Sequence, residues 1–340
     1  MTSSQPRLTD GDLRPADHKQ MQAEAFARDI ERLKARRSEF VAVDCPACGS
    51  HDKKPAFEKY TFEYAECTDC GTYYMTPRPS PAVMSAYYSN SENYRVWAEF
   101  IFPASESARR EKLHRPWLEK VSAFCRAHGI ERGRMVEVGP GFGTFSALAT
   151  ESGLFDEVVA IEPTPELAKA CRDRGVRVIE KRIEDVAADE LKPADLLISF
   201  EVIEHLFEPR GFIAQCSRLV RPNGLIVLSC PNGKGFDVQM LRGKSSAVDP
   251  EHVNLFNPSS LSGMLRAAGF EILELSTPGR LDAELVRNAA LSGEIDLSTD
   301  PFLKQILIDE WDQHGWPFQL FLQQQQLSAH MWLIARRIAP

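Results

Sequence analysis

Apolar residues in the second half of this chain gather in short runs separated by stretches with helical spacing. Met135–Val138, Val158–Ile161, Val176–Ile179, Ala194–Phe200 and Gly224–Ser229 read as buried strands,. Between them lie helical patterns such as Phe145–Leu154 and the segment from Pro165. Strands alternating with helices predict a parallel sheet covered on both faces. Phe270–Ser276 and His330–Arg336 complete the series as a sixth and a final strand. About 50 residues part these two, too many for a structureless loop in a compact domain. Asp282–Leu291, Phe302–His314 and Phe318–Gln326 read as helices there, an insertion over 278–329 that forms a helical cap or an interface between copies. Toward the N-terminus, Phe26, Ile30 and Leu33 mark a short amphipathic helix, and further helices are expected near Ala82–Tyr88 and over Glu106–His128,. Polar residues 1–17 read as disordered. The expected units are 1–40 (tail and helix), 41–78, a helical linker or lid over 79–130, and 131–340.

The first strand ends in Val136-Glu-Val-Gly-Pro-Gly-Phe-Gly-Thr-Phe145. A strand that stops at glycines and re-enters as a helix exposes backbone N–H groups, and the glycines let a ligand approach closely. The NAD fingerprint spaces its glycines as G-x-G-x-x-G; here Glu137, Gly139, Gly141 and Gly143 alternate. This pattern resembles the first motif of class I S-adenosylmethionine (SAM)-dependent methyltransferases. Glu162 ends the second strand about 20 residues beyond the glycines, where an acid accepts from ribose hydroxyls or caps the helix from Pro165. The resemblance places Glu184 or Asp185 near the adenine amino group. It also matches Phe200-Glu201…His205 to the family's fourth strand and the turn after it. Its reach is about residues 130–277. The implied fold is α/β, a Rossmann-like seven-stranded core with an N-terminal zinc ribbon and a helical insertion between the last two strands.

The zinc ribbon is read from the cysteines. Cys45-Pro-Ala-Cys48 and Cys67-Thr-Asp-Cys70 have the spacing of a tetrahedral four-cysteine zinc site on two knuckles, with Gly49 and Gly71 at the turns,. Four thiolates leave no open position, so the zinc is expected to be structural. His51 then reads as a solvated loop residue. Cys125, Cys171, Cys216 and Cys230 read as buried small hydrophobes.

Composition narrows the partners. The net charge is −8 with no long basic block, which weighs against nucleic acid as a partner,. No apolar run reaches 18 residues and the N-terminus lacks a signal-peptide core, so a cytoplasmic protein away from membranes is expected.

Methyl transfer needs the acceptor in line with the methyl group, and an alcohol or acidic carbon also needs a base. His205, in Glu204-His205-Leu206, belongs to a trio that resembles a pattern widespread in class I methyltransferases, which implies a structural or cofactor-shell role. His252, in Asp249-Pro-Glu-His-Val-Asn-Leu-Phe256, lies in a loop after the fifth strand. Glu251 beside it is placed to raise its basicity or to act as the base itself. The Glu-His pair with the zinc module resembles sugar-nucleotide C-methyltransferases, where a histidine in this kind of loop is the catalytic base. The sequence around Asn254–Phe256, with Leu281-Asp282 and Ser328–Trp332, resembles methyltransferases of surface-polysaccharide genes. The implied acceptor is a nucleotide-linked or polysaccharide-precursor sugar, methylated on carbon or oxygen. RNA base methylation and a non-catalytic SAM-binding scaffold are the alternatives. Tyr87, Tyr88, Tyr94 and Trp97 read equally as packing and as a lid beside the methyl group.

Overall fold

The computed structural model describes residues 10–13, 15–187 and 189–338. The expected disordered tail lies partly outside them. Within them, Asp10–Leu13 is a helical turn, held where Lys112 Nζ donates to Asp12 Oδ1 at 2.8 Å. The amphipathic helix spans Lys19–Ala35 and buries Ile30 and Leu33.

β1 (Phe40–Val41) leads into a small module. There β2 (Lys53–Lys59) and β3 (Phe62–Cys67) form a hairpin, followed by β4 (Tyr73–Met75) and β5 (Arg78–Pro79). β5 returns to pair with β1. The helix Pro81–Asn90 follows, and a long helical run then extends from Phe102 to Ala127.

The large sheet contains β6 (Arg134–Val138), β7 (Glu157–Ile161), β8 (Arg177–Ile179), β9 (Ala194–Phe200) and β10 (Val220–Pro231). After a short β11 (Asn254–Leu255), β12 (Phe270–Ser276) and β13 (His330–Arg337) finish it. Its seven strands run β12-β13-β10-β9-β6-β7-β8, and β13 is antiparallel to both neighbours. The crossover helices cover both faces, as a buried parallel sheet requires. Leu118, Val121, Phe145 and Leu148 pack on one face; Phe212, Ile213, Leu261 and Leu265 pack on the other.

β11 does not join that sheet. It pairs with β4, giving the ribbon the order β11-β4-β3-β2. The loop after β10 is thus an outer strand of the N-terminal module.

The insertion differs in detail from the sequence reading. After Asp282–Leu291, a helical run starts at Pro301 and the last helix spans Trp311–Gln324, passing through Gly315 and Pro317 without a break. Gly315 lets that helix seat the Trp311 ring: a Cβ there would stand 2.4 Å from Trp311 Cε3. Leu241, Val286, Leu297 and Leu307 form its core, and Phe302 and Trp316 remain exposed. Among the described residues no helix is long and apolar enough to cross a membrane.

Candidate active site

The carboxyl ends of β6, β7 and β9 meet at the glycine loop. Gly139, Gly141 and Gly143 all hold left-handed backbone, with φ of 73°, 56° and 76°, which residues with a Cβ resist. Two are closed from behind: a Cβ at Gly139 would stand 2.5 Å from Val202 Cγ2, and one at Gly143 2.7 Å from Cys171 Sγ. A Cβ at Gly141 would meet no atom of the described residues within 4 Å. The loop presents bare backbone over open space there, as a close-fitting cofactor needs.

Glu137 lies beneath the loop, 3% exposed, and Ser146 Oγ donates to it. Burial raises its carboxyl to about 7 against the opposing pull of Ser146. Glu162 is also buried and accepts the Thr164 N–H at 2.9 Å, at the residue just before the helix that starts at Pro165. Glu184 and Asp185 are both exposed on the turn Ile183–Asp185. The Phe200 ring packs against Trp117, Phe145 and Trp332, at 4.8, 5.1 and 5.2 Å between centroids, and so belongs to the core. Glu201 holds a φ of 52° and accepts from Ser229 Oγ at 2.6 Å and His330 Nε2 at 2.9 Å.

Beyond Glu201 the site changes character. His205, on the turn whose Val202 packs behind Gly139, meets His252 edge to face, 4.7 Å between ring centroids. His252 Nδ1 lies 2.9 Å from Ala247 O, and His205 Nδ1 lies 3.1 Å from Glu251 O. A carbonyl only accepts, so each Nδ1 carries a proton, and in the neutral ring Nε2 is the nitrogen with the lone pair. Burial, then the neighbouring His252, holds His205 down to about 3, so it is neutral at pH 7.

The Glu251 side chain turns away from the His252 ring. Its carboxyl accepts from Tyr87 Oη at 2.7 Å, and among the described residues no ion pair joins it to His252. Burial, then Asp249, raises it to about 8. The carboxyl thus meets the tyrosine cluster, while the backbone carbonyl of Glu251 meets the His205 ring. Tyr87, Tyr88 and Tyr94 pack edge to face in series, and Tyr88 Oη lies 3.5 Å from His205 Nδ1. The cluster therefore lies against the histidine loop.

The ribbon holds this loop. Met75 N–H donates to Val253 O at 3.0 Å and Tyr64 Oη to Asp249 O at 2.7 Å. Buried Arg78 donates to Asn254 Oδ1 at 2.8 Å and to Phe207 O at 2.6 Å, while Asn254 Nδ2 donates to Leu206 O at 2.7 Å. One buried arginine–asparagine pair thus fastens the β11 strand to the turn carrying His205.

Cys45, Cys48, Cys67 and Cys70 converge within 4.8 Å, with Sγ–Sγ separations of 3.5 Å (Cys45–Cys70) and 3.6 Å (Cys48–Cys67). Sulfurs about a tetrahedral zinc stand roughly 3.8 Å apart, given Zn–S near 2.3 Å. Both knuckles close alike, with Gly49 N–H donating to Cys45 O at 2.8 Å and Gly71 N–H to Cys67 O at 2.9 Å. The arrangement fits a four-thiolate ion. His51 stays outside it, paired with Asp44 at 2.6 Å on the surface. Cys125, Cys171, Cys216 and Cys230 are buried.

Sequence reasoning missed Glu204, Arg78 and His330 as site residues. Glu204 was open to detection, one turn from Glu201 and adjacent to His205. The other two reach the site only through tertiary pairing and carry no local signal.

A methyltransferase-domain family model matches residues 109–275. A ubiquinone biosynthesis O-methyltransferase of Xanthomonas axonopodis is 30% identical over 172 residues, 47% of this chain and 70% of that protein. A protein of Mycolicibacterium smegmatis named as a probable S-adenosylmethionine-dependent methyltransferase is 35% identical over 23% of this chain; the match spans only 29% of that relative's length. The solved structure of an S-adenosylmethionine-dependent methyltransferase from Clostridium acetobutylicum aligns with 72% of this chain and 98% of its own, at 9% identity and a TM-score of 0.46. With the strand order and glycine loop above, the chain belongs to the class I SAM-dependent methyltransferases. It is an enzyme of methyl transfer, and SAM is its cofactor.

Proposed function

We propose that this methyltransferase acts on a small acceptor seated against His252, and that the acceptor is a nucleotide-linked or polysaccharide-precursor sugar. SAM supplies an electrophilic methyl group when bound. The bare backbone at Gly141 would hold it, with Glu162 to accept from its ribose hydroxyls and Glu184 or Asp185 on the adenine side. The observation carrying the acceptor reading is the 2.9 Å contact of His252 Nδ1 with Ala247 O, which leaves Nε2 as the ring atom able to take a proton,. The acceptor O–H, or a C–H beside a ketone, gives its proton to Nε2. The freed electron pair then attacks the methyl carbon in line, and the C–S pair stays on sulfur. The Xanthomonas relative is named for O-methylation, which favours oxygen as the acceptor atom. The sugar class rests on the resemblance of the Glu251-His252 loop and the cysteine module to sugar methyltransferases.

The four thiolates hold a structural zinc in this reading. Its work is mechanical: it fixes β3 and β4, and β4 carries β11, the strand that follows His252.

Incubation with SAM and a panel of nucleotide sugars, read by mass spectrometry for one added methyl, tests the acceptor. His252→Ala is expected to lower kcat by about 10²–10⁴ with SAM affinity unchanged. Full kcat in that variant would remove His252 from the chemistry, and product only from a phenolic acceptor would replace the sugar.

A further inference from the structure

The Glu204 carboxylate is 0% exposed, and neither of its oxygens has a hydrogen-bond partner among the described residues. A buried carboxyl without a partner is costly, and native structures rarely tolerate one. The mechanism above does not use it. What it faces is informative: His205 Nε2 lies 4.0 Å from Glu204 Oε1, and ligand atoms of Glu204, His205 and His252 all fall within 4.8 Å of one another.

The histidines are prepared in the same sense. Each gives its Nδ1 proton to a backbone carbonyl, Ala247 O for His252 and Glu251 O for His205. Among the described residues no hydrogen bond engages the Nε2 of either ring. A second nitrogen tied to a carbonyl, fixing tautomer and ring orientation, is the outer arrangement that metal-bound imidazoles require. The two loops that carry these residues are locked together by Arg78 and Asn254.

We infer that Glu204, His205 and His252 form a divalent-cation site at the acceptor face, distinct from the four-cysteine ribbon. Two imidazole nitrogens and one carboxylate on one side of an ion leave the opposite positions open for an acceptor oxygen. Mn²⁺, Fe²⁺, Co²⁺ and Ni²⁺ suit this set, whereas an all-oxygen ion such as Ca²⁺ does not. Ligand atoms around such an ion stand roughly 3–3.4 Å apart for bonds near 2.1 Å, so the side chains close by about 1 Å on binding.

The inference rests on reading this face as the acceptor site, and it gives His252 Nε2 a cation where that reading gives it a proton. With the cation present, the acceptor hydroxyl binds it and loses its proton to solvent water, because coordination lowers the hydroxyl pKa. The oxygen pair then attacks the methyl carbon, and the C–S pair stays on sulfur as before.

Full-length enzyme, its ribbon zinc verified by elemental analysis, is titrated with Mn²⁺ and the free ion followed by electron paramagnetic resonance. A single Mn²⁺ per chain is expected beyond the zinc. Glu204→Gln and, separately, His252→Ala should each weaken it more than about 100-fold, a larger loss than an outer-shell change gives. Unchanged SAM affinity by calorimetry shows that each variant is folded. No stoichiometric Mn²⁺ site in the parent overturns the inference, as does a site that survives Glu204→Gln. So does full turnover in parent enzyme stripped of everything but the ribbon zinc, with His252→Ala inactive; that result returns His252 to the role of proton acceptor. If Mn²⁺ binds as expected but no sugar is methylated, the acceptor reading fails and the cation site stands.

Discussion

The cofactor edge and the acceptor face adjoin at one end of the sheet but are held by different kinds of bond. The cofactor edge is built mainly from one stretch, β6, the glycine turn and β7 with the acid that follows it. Its strands have nearly no exposed residues, and its glycine turn is backed by Val202 and Cys171 from later in the chain. The acceptor face is assembled from segments near 64–78, 87–94, 201–207, 247–257 and 330, joined by side-chain hydrogen bonds to backbone and by a two-residue strand pair. Many individually modest bonds, each worth about 0.5–1.5 kcal/mol, hold it. The edge should therefore keep its shape without the ribbon, and the face should not.

The largest expected effect separates the two regions. Cys67→Ser opens a closed thiolate site and removes much of what folds the ribbon. Acceptor turnover should fall by roughly 10²-fold or more, the scale of misplacing a catalytic group by about 1 Å. SAM affinity, measured by calorimetry on the same sample, should stay within about threefold of the parent. Equal loss of both would mean that the ribbon supports the whole domain. Parent protein that contains no zinc by elemental analysis would remove the mechanical role altogether.

A second prediction concerns Glu137, buried within the cofactor edge. Its folded-state pKa of about 7 lies above the ordinary 4.5. Below pH 4.5 the carboxyl is protonated in both folded and unfolded chains and costs nothing. As pH rises from 4.5 through 7, the unfolded chain gains from ionisation while the folded chain resists it, so stability is lost. The loss is about 3 kcal/mol on the linkage relation. Glu137→Gln keeps an acceptor for Ser146 without the charge. Thermal unfolding of the ligand-free proteins at pH 5 and pH 8 should show a smaller decline in the variant. Parallel declines would mean that Glu137 stays charged throughout, stabilised by contacts beyond Ser146.

The same division explains what could be read from the chain alone. Strand runs, the alternating glycines and the two CxxC pairs are local, because each needs only neighbours in sequence to take its shape. They gave the seven strands in order and the cysteine cluster. The acceptor face was legible only in part. His252 and Glu251 could be singled out by residue type, but not the turn of the Glu251 carboxyl toward Tyr87, which depends on a helix 164 residues earlier in the chain. The place of His205 after β9 was legible, but not its packing against His252, Tyr88 and the Glu251 carbonyl. The pairing of β11 with β4 had no signal at all. Asn254-Leu255 is too short for a period, and its partner lies across the domain.

The smallest expected effect tests the cofactor edge by itself. Glu162 already accepts one backbone N–H, from Thr164 at 2.9 Å, and is 4% exposed. If it also accepts from the ribose, Glu162→Ala should weaken SAM binding by about 1–3 kcal/mol, the cost of leaving those hydroxyls unmatched. If it only caps the helix from Pro165, the substitution costs about 1 kcal/mol of stability and leaves affinity alone. Calorimetric SAM titration beside thermal unfolding separates the two. Glu162→Gln refines the result, because an amide oxygen still accepts the Thr164 N–H but gives the ribose a weaker, uncharged partner. A variant that regains stability but not affinity would assign Glu162 to the ribose. One that regains both would leave it a cap. In either case turnover at saturating SAM and acceptor should match the parent, since among the described residues no hydrogen bond or ion pair joins Glu162 to the histidine loop.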